Sequence, residues 1–251
     1  VKKIKSELPE MHIHGFTPLE IWQGASTVNK SIEEYLLELK EAGLGTLPGT
    51  AAEILDDRIR KFLCDDKITS SQWGYVMEVA HSLGIKSTAT IMFGHIDDLE
   101  SWVNHFELLK KIQLKTSGFT EVVPLPFVHM GSPIFLQGNS MPGPTWDEIV
   151  LMHSLARIYF YNTIDNIQAS WVKLGHDGAK VLLNSGVNDL GGTLINENIS
   201  RASGANHGQE TTATEFINLI KDAGKIPYLR NTLYTSFKNL EGVSTQNVIK
   251  I

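Results

Sequence analysis

The sequence predicts an α/β fold, a parallel (βα) barrel or an incomplete one, from three observations. Apolar, β-branched runs recur at residues 11–16, 44–47, 86–93, 119–125, 166–172 and 187–193. Stretches long enough for a helix separate most of them, and strands joined by helices pair in parallel because a parallel crossover needs that length. The helix ends are marked as well. Ser31 with Glu34, Thr145 with Glu148, and Thr212 with Glu215 have the spacing of a capping box, in which hydroxyl and carboxylate satisfy backbone N–H groups left open by the first turn. Gly43, Gly84, Gly118, Gly186 and Gly224 each follow an amphipathic stretch and suit the left-handed turn that ends a helix. No G-x-G-x-x-G motif opens the first helix, which disfavours a dinucleotide-binding sheet.

In chain order, residues 2–8 read as the end of a helix running into the strand 11–16. Period-two alternation there places His12 and His14 on one face and Met11 and Ile13 on the other. The strand 44–47 leads into Pro48-Gly49-Thr50-Ala51-Ala52-Glu53, with Thr50 as a helix cap, Glu53 in the first turn, and Asp56, Asp57, Arg58 and Arg60 on solvated helix surface. Strand 86–93 carries Thr88, Thr90 and Met92 on one face and ends at Gly94-His95. Strand 119–125 contains Glu121, a carboxylate in an apolar run that must face solvent, pair or act. Residues 126–144, with His129, form a long Gly- and Pro-containing loop of the kind used as a lid or binding wall.

In 166–172, Gln168, Ser170 and Val172 share one strand face and Trp171 and Lys173 the other, a register that a one-residue slip would exchange. Strand 187–193 carries Asn188 and Asp189 and ends in Gly191-Gly192, where backbone can approach a ligand closely. Asn196 and Glu197 behind it read as caps. The expected organisation is one partial barrel over residues 1–236 followed by a poorly ordered tail, 237–251.

A chain of 251 residues, 42% hydrophobic and 20% charged, can bury one full-sized core. A net charge of -6 without a basic cluster argues against a general nucleic-acid surface. No apolar stretch approaches the roughly 20 residues that cross a bilayer. The single cysteine, Cys64, excludes an internal disulfide and an all-cysteine metal centre, and fits a reducing compartment such as the cytoplasm. It reads as a structural thiol, since no base is recognisably paired with it.

The polar residues at strand ends support several readings. His12 and His14 suit a ligand pair, two hydrogen-bonded interior histidines, or the metal pair of an amidohydrolase-like barrel completed by Lys173, His176 or His207, and Asp189. Glu53 suits an ammonium group, or equally a helix dipole. Thr90, Gly94 and His95 offer a place where a flat ring can lie against glycine backbone. Gln168 and Ser170 offer an amide and a hydroxyl to a uracil-like edge, with His129 and Asn188 as pocket residues.

Taken in order, Pro48-Gly49-Thr50-Ala51-Ala52-Glu53-Ile54-Leu55, Ala89-Thr90-Ile91-Met92-Phe93-Gly94-His95, Thr120-Glu121-Val122-Val123-Pro124-Leu125-Pro126-Phe127-Val128-His129, Gln168-Ala169-Ser170-Trp171-Val172-Lys173-Leu174-Gly175 and Asn188-Asp189-Leu190-Gly191-Gly192 resemble the FO synthase subunit 2 family of radical S-adenosylmethionine enzymes. The likeness runs from about Glu10 to Tyr234. The menaquinone-pathway futalosine enzymes look like the nearest alternative, and the Pro-Leu-Pro-Phe run and Ala205-Asn206-His207-Gly208-Gln209 favour FO synthase subunit 2.

The resemblance implies a radical-SAM-type (βα) TIM-like barrel in which a 4Fe-4S cluster cleaves S-adenosylmethionine. The hydroxybenzyl fragment of L-tyrosine then joins 5-amino-6-(D-ribitylamino)uracil, and FO synthase subunit 1 or a fused domain acts next. By position it implies Glu53, Thr90, Gly94 and His95 for S-adenosylmethionine, and His12, His14, Glu121, His129, Gln168, Ser170 and Asn188 for substrates. The family's C-x-x-x-C-x-x-C cluster loop has no counterpart, because Cys64 stands alone. The expectation is therefore that the first strands and the cluster loop lie upstream of Val1, leaving an open sheet edge and a chain inactive by itself. A cluster-less binding scaffold is the other class of reading.

Overall fold

The computed structural model describes residues 1–194, 202–204 and 210–242. Helices α1 (Lys2–Glu7), α2 (Pro18–Thr27) and α3 (Ile32–Glu41) precede strand β1 (Thr46–Leu47). Helices α4 (Asp57–Leu63) and α5 (Ser70–Ser82), strand β2 (Lys86–Phe93), helix α6 (Leu99–Thr116) and strand β3 (Phe119–Pro126) follow. The strands form one sheet in the order β1-β2-β3, with β1 and β2 parallel and Thr46 opposite Lys86. β3 runs the same way, since Ser87 N–H donates to the Gly118 carbonyl at one end and Phe127 N–H to the Phe93 carbonyl at the other. Helices α7 (Pro133–Leu136), α8 (Trp146–Tyr159), α9 (Trp171–Leu182, kinked at Gly175) and α10 (Ala213–Asp222) come next, then a hairpin of β4 (Tyr228–Arg230) and β5 (Phe237–Asn239).

The chain divides into two compact units, the first of residues 1–91, 97–122 and 160–165, the second of 92–96, 123–159 and 166–251. In the first, Ile21, Ala25, Ile32, Leu36, Leu47, Val76 and Ile85 form a core that fixes α2, α3 and α5 beside the sheet. Burying the Ile, Leu and Val side chains supplies about 1.5–3 kcal/mol each relative to leaving them exposed. In the second, Met152, Ala156, Ile167, Ala169, Trp171 and Leu182 are buried from α8, α9 and the extended segment before α9.

The three expected capping boxes are present, at Ser31, Thr145 and Thr212. Others at Thr17 with Glu20, Thr69 with Gln72, and Asp98 with Ser101 were not anticipated. Gly43, Gly84, Gly186 and Gly224 take positive φ as expected, but Ser117 (φ 48) rather than Gly118 is the left-handed residue after α6.

Several elements differ from expectation. Residues 11–16 contribute a single parallel bridge, His14 to Thr46, and 166–172 and 187–193 share an isolated parallel bridge, Gln168 to Asp189, rather than paired strands. Trp171, Val172 and Lys173 are helical. The Trp171 ring is buried edge-on to Phe216 at 5.9 Å, so packing overrides the strand preference of Trp and Val. The loop 126–144 contains α7. Phe237–Asn239, expected in a tail, pair with β4, and residues 243–251 lie outside the described ones.

Candidate functional site

The first unit brings His12 and His14 onto one atom, as their shared face predicts. His12 Nε2 and His14 Nδ1 each lie 2.8 Å from Thr46 Oγ1, and Thr46 is buried. Desolvation, then the Lys5 ammonium, holds His12 below the ordinary imidazole range. Glu121 is buried in β3.

Glu53 departs from its expected place. No helix starts at Thr50; the segment 48–56 is a loop with left-handed backbone at Ala51 (φ 59) and Glu53 (φ 43), and α4 begins only after its true cap, Asp56. The loop is fixed by side chains that reach its backbone. Gly49 N–H donates to Thr88 Oγ1 (2.8 Å) and the Thr90 hydroxyl donates to the Gly49 carbonyl (2.7 Å), which confirms that Thr88 and Thr90 share a face. A Cβ at position 49 would stand 2.3 Å from the Thr88 carbonyl, so only glycine allows this approach. His105 Nδ1 accepts from Leu55 N–H at 2.9 Å, and Arg60, expected on the surface, is buried against the loop's carbonyls. Asp56 is buried as well. The Glu53 carboxylate remains half-buried and pairs with Lys67. The place can therefore hold a cation.

In the second unit, His95 is fully buried with both ring nitrogens on its own turn, Nε2 3.0 Å from the Met92 carbonyl and Nδ1 accepting from Ile96 N–H at 2.7 Å. Gly94 (φ 88) abuts Pro144, where a Cβ would meet the ring at 2.3 Å. Packing explains that glycine without a ligand. His129 stands edge-on to Phe135 at 4.5 Å in the loop after β3. Asn188 is committed to the framework: its Oδ1 accepts from Arg157 (2.6 Å) and from Ile167 N–H (2.9 Å), and its Nδ2 donates to Asn166 at 3.3 Å. Asp189 is likewise taken, by Arg230 (2.8 and 3.0 Å), Tyr234 (3.0 Å) and Gly191 N–H (2.6 Å).

Gln168 and Ser170 behave differently. Ile167 and Ala169 point into the core, so Gln168 and Ser170 lie half-buried on the opposite face. Ser170 occupies the N-cap of α9 without a side-chain cap bond, and the Gln168 amide makes no hydrogen bond among the described residues. A Cβ on Gly191 would lie 3.0 Å from Gln168 Nε2, while one on Gly192 would meet nothing within 4 Å. The uncommitted amide thus packs against the Gly191 backbone, and open space lies at Gly192.

Among the described residues the donors of the metal-hydrolase alternative are not brought together. Among the described residues no group of three His, Cys, Asp or Glu side chains is placed to hold a metal. His12 and His14 converge on Thr46, Asp189 on Arg230, and His176 on Thr211, while Lys173 lies in α9. His207, Asn196, Glu197 and most of the stretch 205–209 lie outside the described residues. The residues also do not fit an iron–sulfur cluster, which needs several thiolates: Cys64 is alone and buried, and burial raises its pKa. Among the described residues no helix is long and apolar enough to cross a membrane.

The profile of the family described as "CofH/MqnC C-terminal region" matches residues 116–242, half of the chain. The chain belongs to this family. Among the relatives of this CofH/MqnC chain is the "5-amino-6-(D-ribitylamino)uracil--L-tyrosine 4-hydroxyphenyl transferase" of Methanothermobacter thermautotrophicus, 48% identical over 240 residues, which are 96% of this chain and 65% of that protein. The protein of the same name from Methanocaldococcus jannaschii is 49% identical over 225 residues, 90% of this chain and 63% of the relative. The "FO synthase" of Mycobacterium tuberculosis is 46% identical over 234 residues, 93% of this chain and 27% of the relative. The chain thus spans under two thirds of the length of these proteins. A solved structure of methylornithine synthase (PylB) superposes with a TM-score of 0.58 at 16% identity, covering 89% of this chain and 59% of that one. That likeness bears out the α/β fold of (βα)-barrel type with a parallel sheet.

Proposed function

We propose that this CofH/MqnC chain is the substrate-binding part of a transferase that joins the hydroxybenzyl fragment of L-tyrosine to 5-amino-6-(D-ribitylamino)uracil. The observation that carries the reading is the 48% identity, over 96% of the chain, to a protein named for that transfer. S-adenosylmethionine, when cleaved by one electron from a 4Fe-4S cluster, would supply the radical chemistry, and this chain's own residues hold no thiolate set for that cluster. The chain's own residues bind and orient. Glu53 takes the ammonium of S-adenosylmethionine, exchanging it for Lys67. Thr90 acts through the Gly49 carbonyl it holds, and Gly94 and His95 shape the turn after β2. Gln168 offers amide donor and acceptor to the uracil edge, and the Ser170 hydroxyl adds a second contact. Each of His12, His14 and Glu121 in the first unit, and His129 in the second, is a candidate polar contact for a substrate, and Asn188 supports the strand behind Gln168. The adduct passes to FO synthase subunit 1 or a fused domain.

Calorimetric titration of the protein with 5-amino-6-(D-ribitylamino)uracil tests this. Saturable binding, competed by ribityl-bearing pyrimidines and not by free ribitol, is the expected outcome. Absence of binding would remove the reading of Gln168 and Ser170.

A further inference from the structure

Two residues without glycine's freedom, Ala51 and Glu53, hold left-handed backbone in the loop before α4. Such conformations persist only where surrounding structure over-determines them, and they concentrate at ligand-binding positions. One side chain reaches the carbonyls on both sides of Glu53. The Arg60 guanidinium donates through Nη1 to the carbonyls of Ala52 and Ile54, the latter at 3.2 Å, and these flank Glu53 on both sides. Through Nε (3.1 Å) and Nη2 (2.5 Å) it also donates to the carbonyl of Ile68, the neighbour of Lys67. Both members of the Glu53–Lys67 pair are therefore held through their chain neighbours by one buried fork. Its nearest carboxylate, Asp57, stands 3.9 Å away and accepts instead from Ser70 N–H (2.8 Å) and the Ser70 hydroxyl (2.7 Å). The buried cation is met by carbonyl dipoles, a planar multi-donor task to which an ammonium is not equivalent.

We propose that Arg60 is a positioning residue: it locks the loop 49–56 and so presents the Glu53 carboxylate, at a fixed place, to the ammonium of an incoming ligand. The second half rests on the reading of Glu53 given under the proposed function, and the two halves are read separately.

The experiment compares Arg60→Lys, Glu53→Gln and the double variant by amide exchange and by S-adenosylmethionine binding. Arg60→Lys is expected to raise exchange at Gly49 and Leu55, whose N–H groups go to Thr88 and His105, while α5 and α6 stay protected. Unchanged exchange in the loop, or an equal rise across both helices, overturns the lock. Glu53→Gln is expected to weaken S-adenosylmethionine binding about tenfold, and Arg60→Lys to weaken it severalfold in the parent background but less than about twofold beside Glu53→Gln, as coupled residues do. Equal losses in the two backgrounds overturn positioning. No binding by the parent chain, or no effect of Glu53→Gln, removes the ligand half while exchange still decides the lock.

Discussion

The loop 49–56 of the first unit and the strand ends 166–170 and 188–192 of the second handle polar groups in opposite ways. Around the loop, Arg60, His105, Thr88 and Thr90 all reach for backbone, Asp56 is taken by Arg58 and Asn104, and the Glu53 carboxylate is left with the Lys67 ammonium on it. At the strand ends, Asn188 and Asp189 are spent on Arg157 and Arg230, and two neutral side chains, Gln168 and Ser170, keep their hydrogen-bonding capacity. A locked charge suits one compact ionic group, whereas uncommitted amide and hydroxyl groups suit a planar heterocycle whose donors and acceptors alternate.

Acid should separate the two regions most strongly. Burial pushes His105 down to about 3 and His81 to about 4 in the first unit, and His153 to about 4 in the second. Because these folded-state values lie below the ordinary 6.5, the unfolded chain takes the proton first. The stability they contribute is full above about pH 6.5 and falls as the pH drops toward 4, by about 1.4 kcal/mol per group for each pH unit of that descent. The first unit has two such groups, and protonating His105 also removes the acceptor of Leu55 N–H. Urea unfolding should lose several kcal/mol between pH 7 and pH 4, with amide exchange at pH 5 rising first around residues 49–56. Equal loosening of both units would break the contrast.

Removing the latch on the second region comes next. Asp189→Ala strands Arg230 and Tyr234 and should cost about 2–3 kcal/mol, less than a fully buried pair because Arg230 is 20% exposed. Urea denaturation reads this, and a cost under about 0.5 kcal/mol would mean that the β4–β5 hairpin is held by other contacts. Gln168→Leu should weaken binding of the aminouracil about tenfold with little change in stability, since no internal partner is lost. Asn188→Ala should do the reverse, lowering stability through Arg157 and Ile167 with a smaller effect on affinity. The smallest effect is expected of Ser170→Ala, roughly threefold in affinity, because its hydroxyl caps nothing.

Much of the fold was legible in residue order. β2 and β3 follow from runs rich in apolar and β-branched residues, and the caps at Ser31, Thr145 and Thr212 from a hydroxyl three residues before a carboxylate. Two of the other caps use weaker signals, a glutamine at Gln72 and a serine at Ser101, whereas Thr17 with Pro18 and Glu20 carries the full signal of a helix start. Of the site, the shared face of His12 with His14 and of Thr88 with Thr90 was readable because a strand alternates strictly. The roles of Arg60 and His105 were not, since nothing local distinguishes a buried arginine at the end of a short helix from an exposed one. A signal was present in Ala51-Ala52-Glu53, where no helix forms after Thr50, but only the partners of the carbonyls make it visible.

By itself the sequence determined the alternation of strands and helices, the absence of a thiolate set beyond Cys64, and the family, because periodicity, composition and motif order are properties of the chain alone. Tertiary structure decided which polar groups are left for a ligand. Asn188 and Gln168 are chemically alike, yet one amide is consumed by Arg157 and Ile167 and the other lies against Gly191 with no hydrogen-bond partner among the described residues. Hydrogen-bonding capacity is local to a residue; whether it is already satisfied depends on partners that only folding brings within reach.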